Sequence, residues 1–324
     1  MRIRPIINEK GEILMKSKEL CIFLERLRFA RNISQEAFTD DVVSIRQYRR
    51  YLSGESDIPF QIIAKLTSRL GVKTDNLLRE FEVAKLEETN AINKLYNLAV
   101  NYSQDEFIEF SKKIPLDHII EHSNRMMYQH SIIINQMFTN KITKLEAANA
   151  NAKLINYPKM LNQQIMTSVE MLILSSFLDL FDESQHQKII EKITDYIKDQ
   201  STVISGGNEK FLSLILARLA KYMGVKQDYE SVIKYCDQGI KRNLEAKSYY
   251  LMDYFYYYKS LAYYRFGDLE SYEKNLVNCF NVLQFEGNDK KIEKFTNLID
   301  KDYDISFESF VTNYYLNRQN KRQE

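Results

Sequence analysis

Arg46, Gln47, Arg49 and Arg50 stand within one five-residue run, and all four carry planar donor groups matched to the edges of bases. A guanidinium donates two parallel hydrogen bonds to guanine O6 and N7, and a carboxamide exchanges one of each kind with adenine N6 and N7. Spacing decides whether they can act together. On a helix Arg46, Arg49 and Arg50 share one face with Gln47 at its edge, while Tyr48, Tyr51 and Leu52 recur at i, i+3 and i+4 on the other. The major groove of B-DNA admits one helix, so the pattern predicts base contact by Arg46 and Gln47 near the helix start, with Arg50 next. Phosphate contact falls to Arg49, Ser44 and Gln35.

Those side chains need a frame, and the flanking sequence supplies one. Leu20, Leu24 and Leu27 recur at helical spacing, Asn32-Ile33-Ser34 reads as a turn, and Ser34 caps a short second helix running through Phe38. Asp40-Asp41 interrupts the run. Ser44-Ile45-Arg46-Gln47 then reads as a capping box, Ser at the N-cap and Gln at N3, opening a third helix that stops at Gly54. Pro59 suits the first turn of a fourth helix over 60–70, closed by Gly71, and Thr74 caps a fifth. The five helices make a bundle over residues 17–81. Residues 1–16 read as a loose leader, with Met15 an alternative start, and no role is assigned to them.

The whole chain reads as all-α. Its 324 residues exceed one helical core, and only nine Gly and four Pro punctuate them, with no Gly between Gly71 and Gly206. The net charge is +1. Residues 1–81 hold 15 Lys and Arg against 11 Asp and Glu, so the excess of positive charge sits at the front, as contact with phosphate requires. Cys21, Cys236 and Cys279 are far apart and form no C-x-x-C pair, so neither a disulfide framework nor a zinc knuckle is expected, and no cofactor. Lacking an apolar leader or any long apolar run, the protein is expected to be soluble and cytoplasmic, without a membrane partner.

Residues 82–97 are polar, without Pro or Gly, and read as a helical linker. Residues 98–324 read as paired helices broken near Pro115, Asn156-Tyr157-Pro158, Asp182-Glu183, Gly206-Gly207, Gln227-Asp228, Arg242-Asn243, Gly267-Asp268 and Gly287-Asn288. Leu219 to Met223 leading to Asp228-Tyr229-Glu230-Ser231 aligns with Leu261 to Arg265 leading to Asp268-Leu269-Glu270-Ser271, as in a degenerate, slightly long tetratricopeptide-like repeat.

The ordered string Leu27-Arg28, Ile33-Ser34-Gln35-Glu36, Val43-Ser44, Tyr48, Tyr51, Gly54-Glu55, Pro59, Leu66, Leu70-Gly71-Val72 and Leu77-Leu78 resembles the lambda-repressor/Cro-like helix-turn-helix family. It departs by one residue fewer between helices two and three, with Asp40 to Val43 where a Gly usually sits, and by Leu52 where an acidic residue is common. Such a motif followed by a degenerate tetratricopeptide-like solenoid resembles the RRNPP family of peptide-pheromone receptors, and Gly54-Glu55-Ser56-Asp57-Ile58-Pro59-Phe60 is similar to its Rgg branch. That resemblance implies a homodimeric transcription factor of the quorum-sensing type. Its partners would be a double-stranded DNA operator and a short signalling peptide held in the groove of residues 98–324. On the aligned repeats the inner helices run over Lys210 to Tyr222 and Asp253 to Tyr264, which makes Lys210, Arg218, Lys221, Asp253, Tyr257 and Tyr264 candidate peptide contacts, with Asn162 on an earlier helix. The aromatic stretch from Tyr249 to Tyr264 has too many hydroxyl tips for a wholly dry core.

Three rivals compete. His118-Ile119-Ile120-Glu121-His122 matches the H-x-x-E-H spacing of inverzincin peptidases, with two His one helical turn apart, though no third ligand is identifiable. The array could serve instead as a protein-interaction module, or the protein could repress without any ligand.

Overall fold

Two serines set where the first short helices begin. Ser34 Oγ accepts from the amide of Ala37 at 3.1 Å and Ser44 Oγ from that of Gln47 at 3.2 Å. Each satisfies an N–H group that a helix start leaves without a partner. The computed structural model describes residues 6–7, 13–14, 17–100, 103–116, 119–180, 186–198, 203–204 and 210–320. Their contacts divide the chain into two compact units, Met1–Ala147 and Ala148–Glu324. Among the described residues, two pairs of two-residue strands are the only non-helical elements. One of these pairs, Ile6–Ile7 against Ile13–Leu14, is antiparallel and lies inside the expected leader, most of which falls outside the described residues.

In the first unit α1 (Ser17–Ala30), α2 (Gln35–Thr39), α3 (Ile45–Ser53), α4 (Phe60–Arg69) and the start of α5 (Thr74–Val100) enclose one core. Leu20, Leu24, Phe38, Tyr48, Leu66 and Leu77 are buried there. Gly54 ends α3 at φ 81° and Gly71 takes φ 64° before α5. α5 then continues through residues 82–97 without a break. Leu95 and Ala99 pack with Phe107 of α6 (Gln104–Lys112) and Ile134 of α7 (His122–Phe138). The α7 start is held from α5, because the Glu88 carboxylate accepts from the amides of Ile120 at 2.7 Å and Glu121 at 3.0 Å.

The shortened turn between α2 and α3 closes on an aspartate. Asp41 adopts φ 50°, the left-handed conformation that a glycine usually supplies. Arg69 of α4 grips the turn, donating to the Ala37 carbonyl at 2.7 Å and to the Asp40 carbonyl. Asp41→Gly should therefore raise the thermal stability of the bundle, and Asp41→Val should lower it by about 1–2 kcal/mol. A valine variant that melts with the wild type would contradict the strained turn.

The second unit contains α9 (Ser168–Leu180), α10 (His186–Lys198), α11 (Lys210–Val225), α12 (Tyr229–Glu245), α13 (Met252–Phe266), α14 (Leu269–Glu286), α15 (Asp289–Tyr303) and α16 (Phe307–Asn320), while α8 (Lys144–Leu154) spans the division between units. Left-handed residues stand at Gln227, Lys247, Gly267 and Gly287, twenty positions apart, so helix and turn together repeat on that period. Asp228, Asp268 and Asn288 cap the helices that follow three of these turns. The aligned pairs of the sequence are thus successive helical hairpins. Two expectations need correction. Arg242-Asn243 lies inside α12, whose turn comes later, at 246–251, and a break after α7 was not foreseen. The breaks expected at Asp182-Glu183 and Gly206-Gly207 lie outside the described residues.

Candidate nucleic-acid interface

α3 has the two faces its sequence requires. Tyr48 and Tyr51 are buried, with the Tyr48 ring edge-on to Phe38 at 5.8 Å, and Leu52 packs on the same core. Arg46, Arg49 and Arg50 are exposed, and Gln47 is half-buried. Ser44 sits at the helix N-terminus, where backbone N–H groups and the helix dipole favour an anion. The reciprocal half of the expected capping box does not form. Gln47 Nε2 donates instead to Ser56 Oγ at 2.9 Å, and Gln47 Oε1 accepts from Arg50 Nη1 at 3.5 Å. Arg50 also faces Glu55, Nε to Oε2 at 3.5 Å. Among the described residues the Arg46 side chain has no hydrogen bond or ion pair, so its guanidinium is the one most available to a ligand.

A residue that the sequence reading passed over organises this face from behind. The half-buried Glu25 of α1 accepts from Arg28 at 2.6 and 2.8 Å, from Gln35 Nε2 at 2.7 Å and from the Tyr48 hydroxyl at 2.9 Å. Gln35 in turn accepts weakly from Arg49 Nε at 3.5 Å. One carboxylate therefore ties α1, α2 and α3 together and orients a predicted phosphate contact. Burial pushes the Glu25 carboxyl up, but the bonds from Arg28, Gln35 and Tyr48 outweigh it and hold it below the ordinary carboxylate range. Burial and the same carboxylate push the Tyr48 phenol up.

The sign of the pH effect follows. Because the folded value is depressed, the contribution is full at neutral pH and fades as pH falls below the unfolded value, about 4.3, through the folded one. Glu25→Gln should destabilise the bundle at pH 7 by about 1–2 kcal/mol, discounted for partial exposure, and the deficit should shrink toward pH 3. Melting curves at both pH values check this. A deficit that does not change with pH would remove the charge from the account.

The peptide candidates fall into two sets. Arg218 of α11 donates to the Leu172 carbonyl and to Ser175 Oγ of α9, both at 2.8 Å, and exposed Lys221 meets Asp179 of α9 at 2.7 Å. Toward the other side, Asp253 of α13 is fully buried against Lys291 of α15 at 3.1 Å. Buried Tyr257 donates to Asp302 of α15, and Tyr264 packs on Tyr272 and Tyr303 while the residue stays 41% exposed. Burial raises the Asp253 carboxyl above its ordinary value against the pull of Lys291. Lys210 is exposed at the start of α11, over the Tyr250 ring. Asn162 is exposed and ends a single 3-10 turn, Lys159–Asn162, rather than standing on an α-helix.

The H-x-x-E-H spacing loses its helical premise. Residues 119–121 are not helical: Glu121 is the N-cap of α7 and His122 its first residue, while His118 lies outside the described residues. No described helix is long and apolar enough to cross a membrane.

Comparison with solved structures places this architecture. The apo form of the competence regulator ComR from Streptococcus vestibularis aligns at 12% identity and a TM-score of 0.51, over 89% of this chain and 99% of that one. Apo ComR from S. thermophilus aligns at 13% identity and a TM-score of 0.50, over 88% and 100%. The likeness is one of fold. Bacillus thuringiensis PlcR, in complex with the peptide PapR7 and DNA, aligns at 13% identity over 85% and 99%, with a lower TM-score of 0.42. No family model and no curated protein matches the sequence.

Proposed function

We propose that the protein is a homodimeric, sequence-specific transcriptional regulator controlled by a short signalling peptide. In this reading residues 17–81 bind duplex DNA, residues 82–97 are the connecting helix, and residues 98–324 hold the peptide and the dimer contacts. The observation that carries it is α3 itself, seated by Tyr48 and Tyr51 and offering Arg46, Arg49 and Arg50 outward. ComR, whose fold the chain shares, is a competence regulator, which supports a regulatory role. Gln35, Ser44 and Arg49 serve as phosphate contacts and Arg46, Gln47 and Arg50 as base contacts. On the peptide side, Lys210, Arg218, Lys221, Tyr264 and Asn162 keep accessible surface, and Asp253 and Tyr257 act from beneath as supports.

Selection of duplexes from a random pool by the full chain tests the first half. The expected product is a sequence with two related half-sites, bound with an affinity whose logarithm falls by about 0.9 per neutralised phosphate for each logarithmic unit of salt. Failure to enrich any sequence sinks the reading. For the second half, a short-peptide fraction from the organism's own culture medium should raise the melting temperature of the full chain. If every such fraction leaves it unmoved, the regulator works without a peptide.

A further inference from the structure

Gly54, Glu55 and Ser56 fold back along α3 instead of leaving it. With Gly54 at φ 81°, the amides of Glu55 and Ser56 both return to the Arg50 carbonyl, at 3.0 and 3.4 Å. Two side chains from beyond the helix are thereby set against two that face outward from it. Glu55 Oε2 meets Arg50 Nε at 3.5 Å, and Ser56 Oγ accepts from Gln47 Nε2 at 2.9 Å. Arg50 Nη1 donates to Gln47 Oε1 at 3.5 Å, and Ser53 Oγ donates to Glu55 Oε1 at 3.1 Å.

These partners set the direction of the Gln47 amide. A guanidinium only donates, so the carboxamide oxygen is the atom that faces Arg50 and the nitrogen the atom that faces Ser56. Each atom then has one function in use. One N–H and one lone pair remain, and adenine N7 and N6 take that pair of functions. A flipped amide would offer them in the opposite order. Arg50, with Nε facing Glu55 and one Nη1 hydrogen given to Gln47, keeps the other Nη1 hydrogen and both on Nη2 for guanine O6 and N7. The Glu55 carboxylate also opposes phosphate, which weakens binding to every duplex alike.

On the reading that α3 enters the major groove, we propose that Ser56 and Glu55 are positioning residues that determine base specificity. Arg50 sets the order of the Gln47 amide that adenine requires and Ser56 pins the amide in that place, while Glu55 holds Arg50 for guanine and lowers affinity for DNA in general. Ordering long side chains beforehand also reduces the entropy lost on docking.

The test compares full-length wild type, Ser56→Ala and Glu55→Gln on the duplex that the wild type selects, on its single-base-pair variants, and on an unrelated duplex of equal length. Ser56→Ala should lose about tenfold in discrimination at one adenine and bind the unrelated duplex as before. Glu55→Gln should lose about tenfold in discrimination at one guanine and bind the unrelated duplex more tightly. Wild-type base preferences in both variants overturn the proposal and leave the groove reading standing, as does a loss equal on all duplexes. A wild type that selects no duplex overturns both.

Discussion

Replacing Arg46 by alanine is expected to weaken binding to the selected duplex by about ten- to a hundredfold and to relax preference at a single base pair. The magnitude follows from availability. Gln47 and Arg50 already hold each other and the loop beyond α3, whereas Arg46 has no partner to surrender among the described residues. Its donors therefore enter a complex without first breaking an internal bond. Lysine should not rescue the variant, because an ammonium cannot make the paired in-plane bonds that a guanidinium makes with guanine. Arg49→Ala provides the contrast. As a phosphate contact it should weaken all duplexes by the same factor and reduce the salt slope by about one. Titration of both variants on selected and unrelated duplexes separates the two roles, and an Arg46→Ala protein with undiminished preference would remove this residue from base readout.

The parts of this face that were legible in the sequence are those governed by local chemistry. Ser34, Ser44 and Gly54 each act on backbone within a few residues and stand where the capping rules place them, while Pro59 stands one position before the first turn of α4, at its N-cap. The Glu25 cluster was not legible, because the Tyr48 and Gln35 partners lie 23 and 10 residues away and come together only when α1, α2 and α3 pack. Asp41 shows a middle case. A missing glycine signalled a departure in the turn, but only the backbone shows that aspartate takes the left-handed position.

Farther along, two signals were present and unread. Thr143 and Glu146 exchange side-chain to backbone bonds at 2.7 and 3.2 Å, and Thr167 and Glu170 do the same at 2.7 and 3.2 Å. Both are capping boxes that announce α8 and α9, so the break after α7 was accessible from Thr-x-x-Glu alone. Polarity misled in the opposite direction at Asp253. Its carboxylate reads as a candidate peptide contact, yet it is buried and paired with Lys291, which reaches back from a helix two further on. Long-range pairing of this kind leaves no trace in spacing.

Gly239→Ala is expected to destabilise the second unit, although the same change in an open helix would help. A glycine in mid-helix gives up about 1 kcal/mol relative to alanine, so its place in the interior of α12 needs a compensating contact. The Phe255 ring of α13 supplies it. A methyl group added at Gly239 would overlap the tip of that ring, and Phe255 is fully buried and has nowhere to withdraw. Overpacking of this kind costs about 1–3 kcal/mol and exceeds the propensity gain. A net loss of about 1–2 kcal/mol should lower the melting temperature by about 2–8 °C. Removing the ring tip should restore room, so Gly239→Ala combined with Phe255→Leu should be less destabilised than the sum of the two single changes. Thermal melts of the three variants decide it. Additive losses, or a single alanine variant more stable than the wild type, would show that α12 and α13 do not owe their close approach to this glycine.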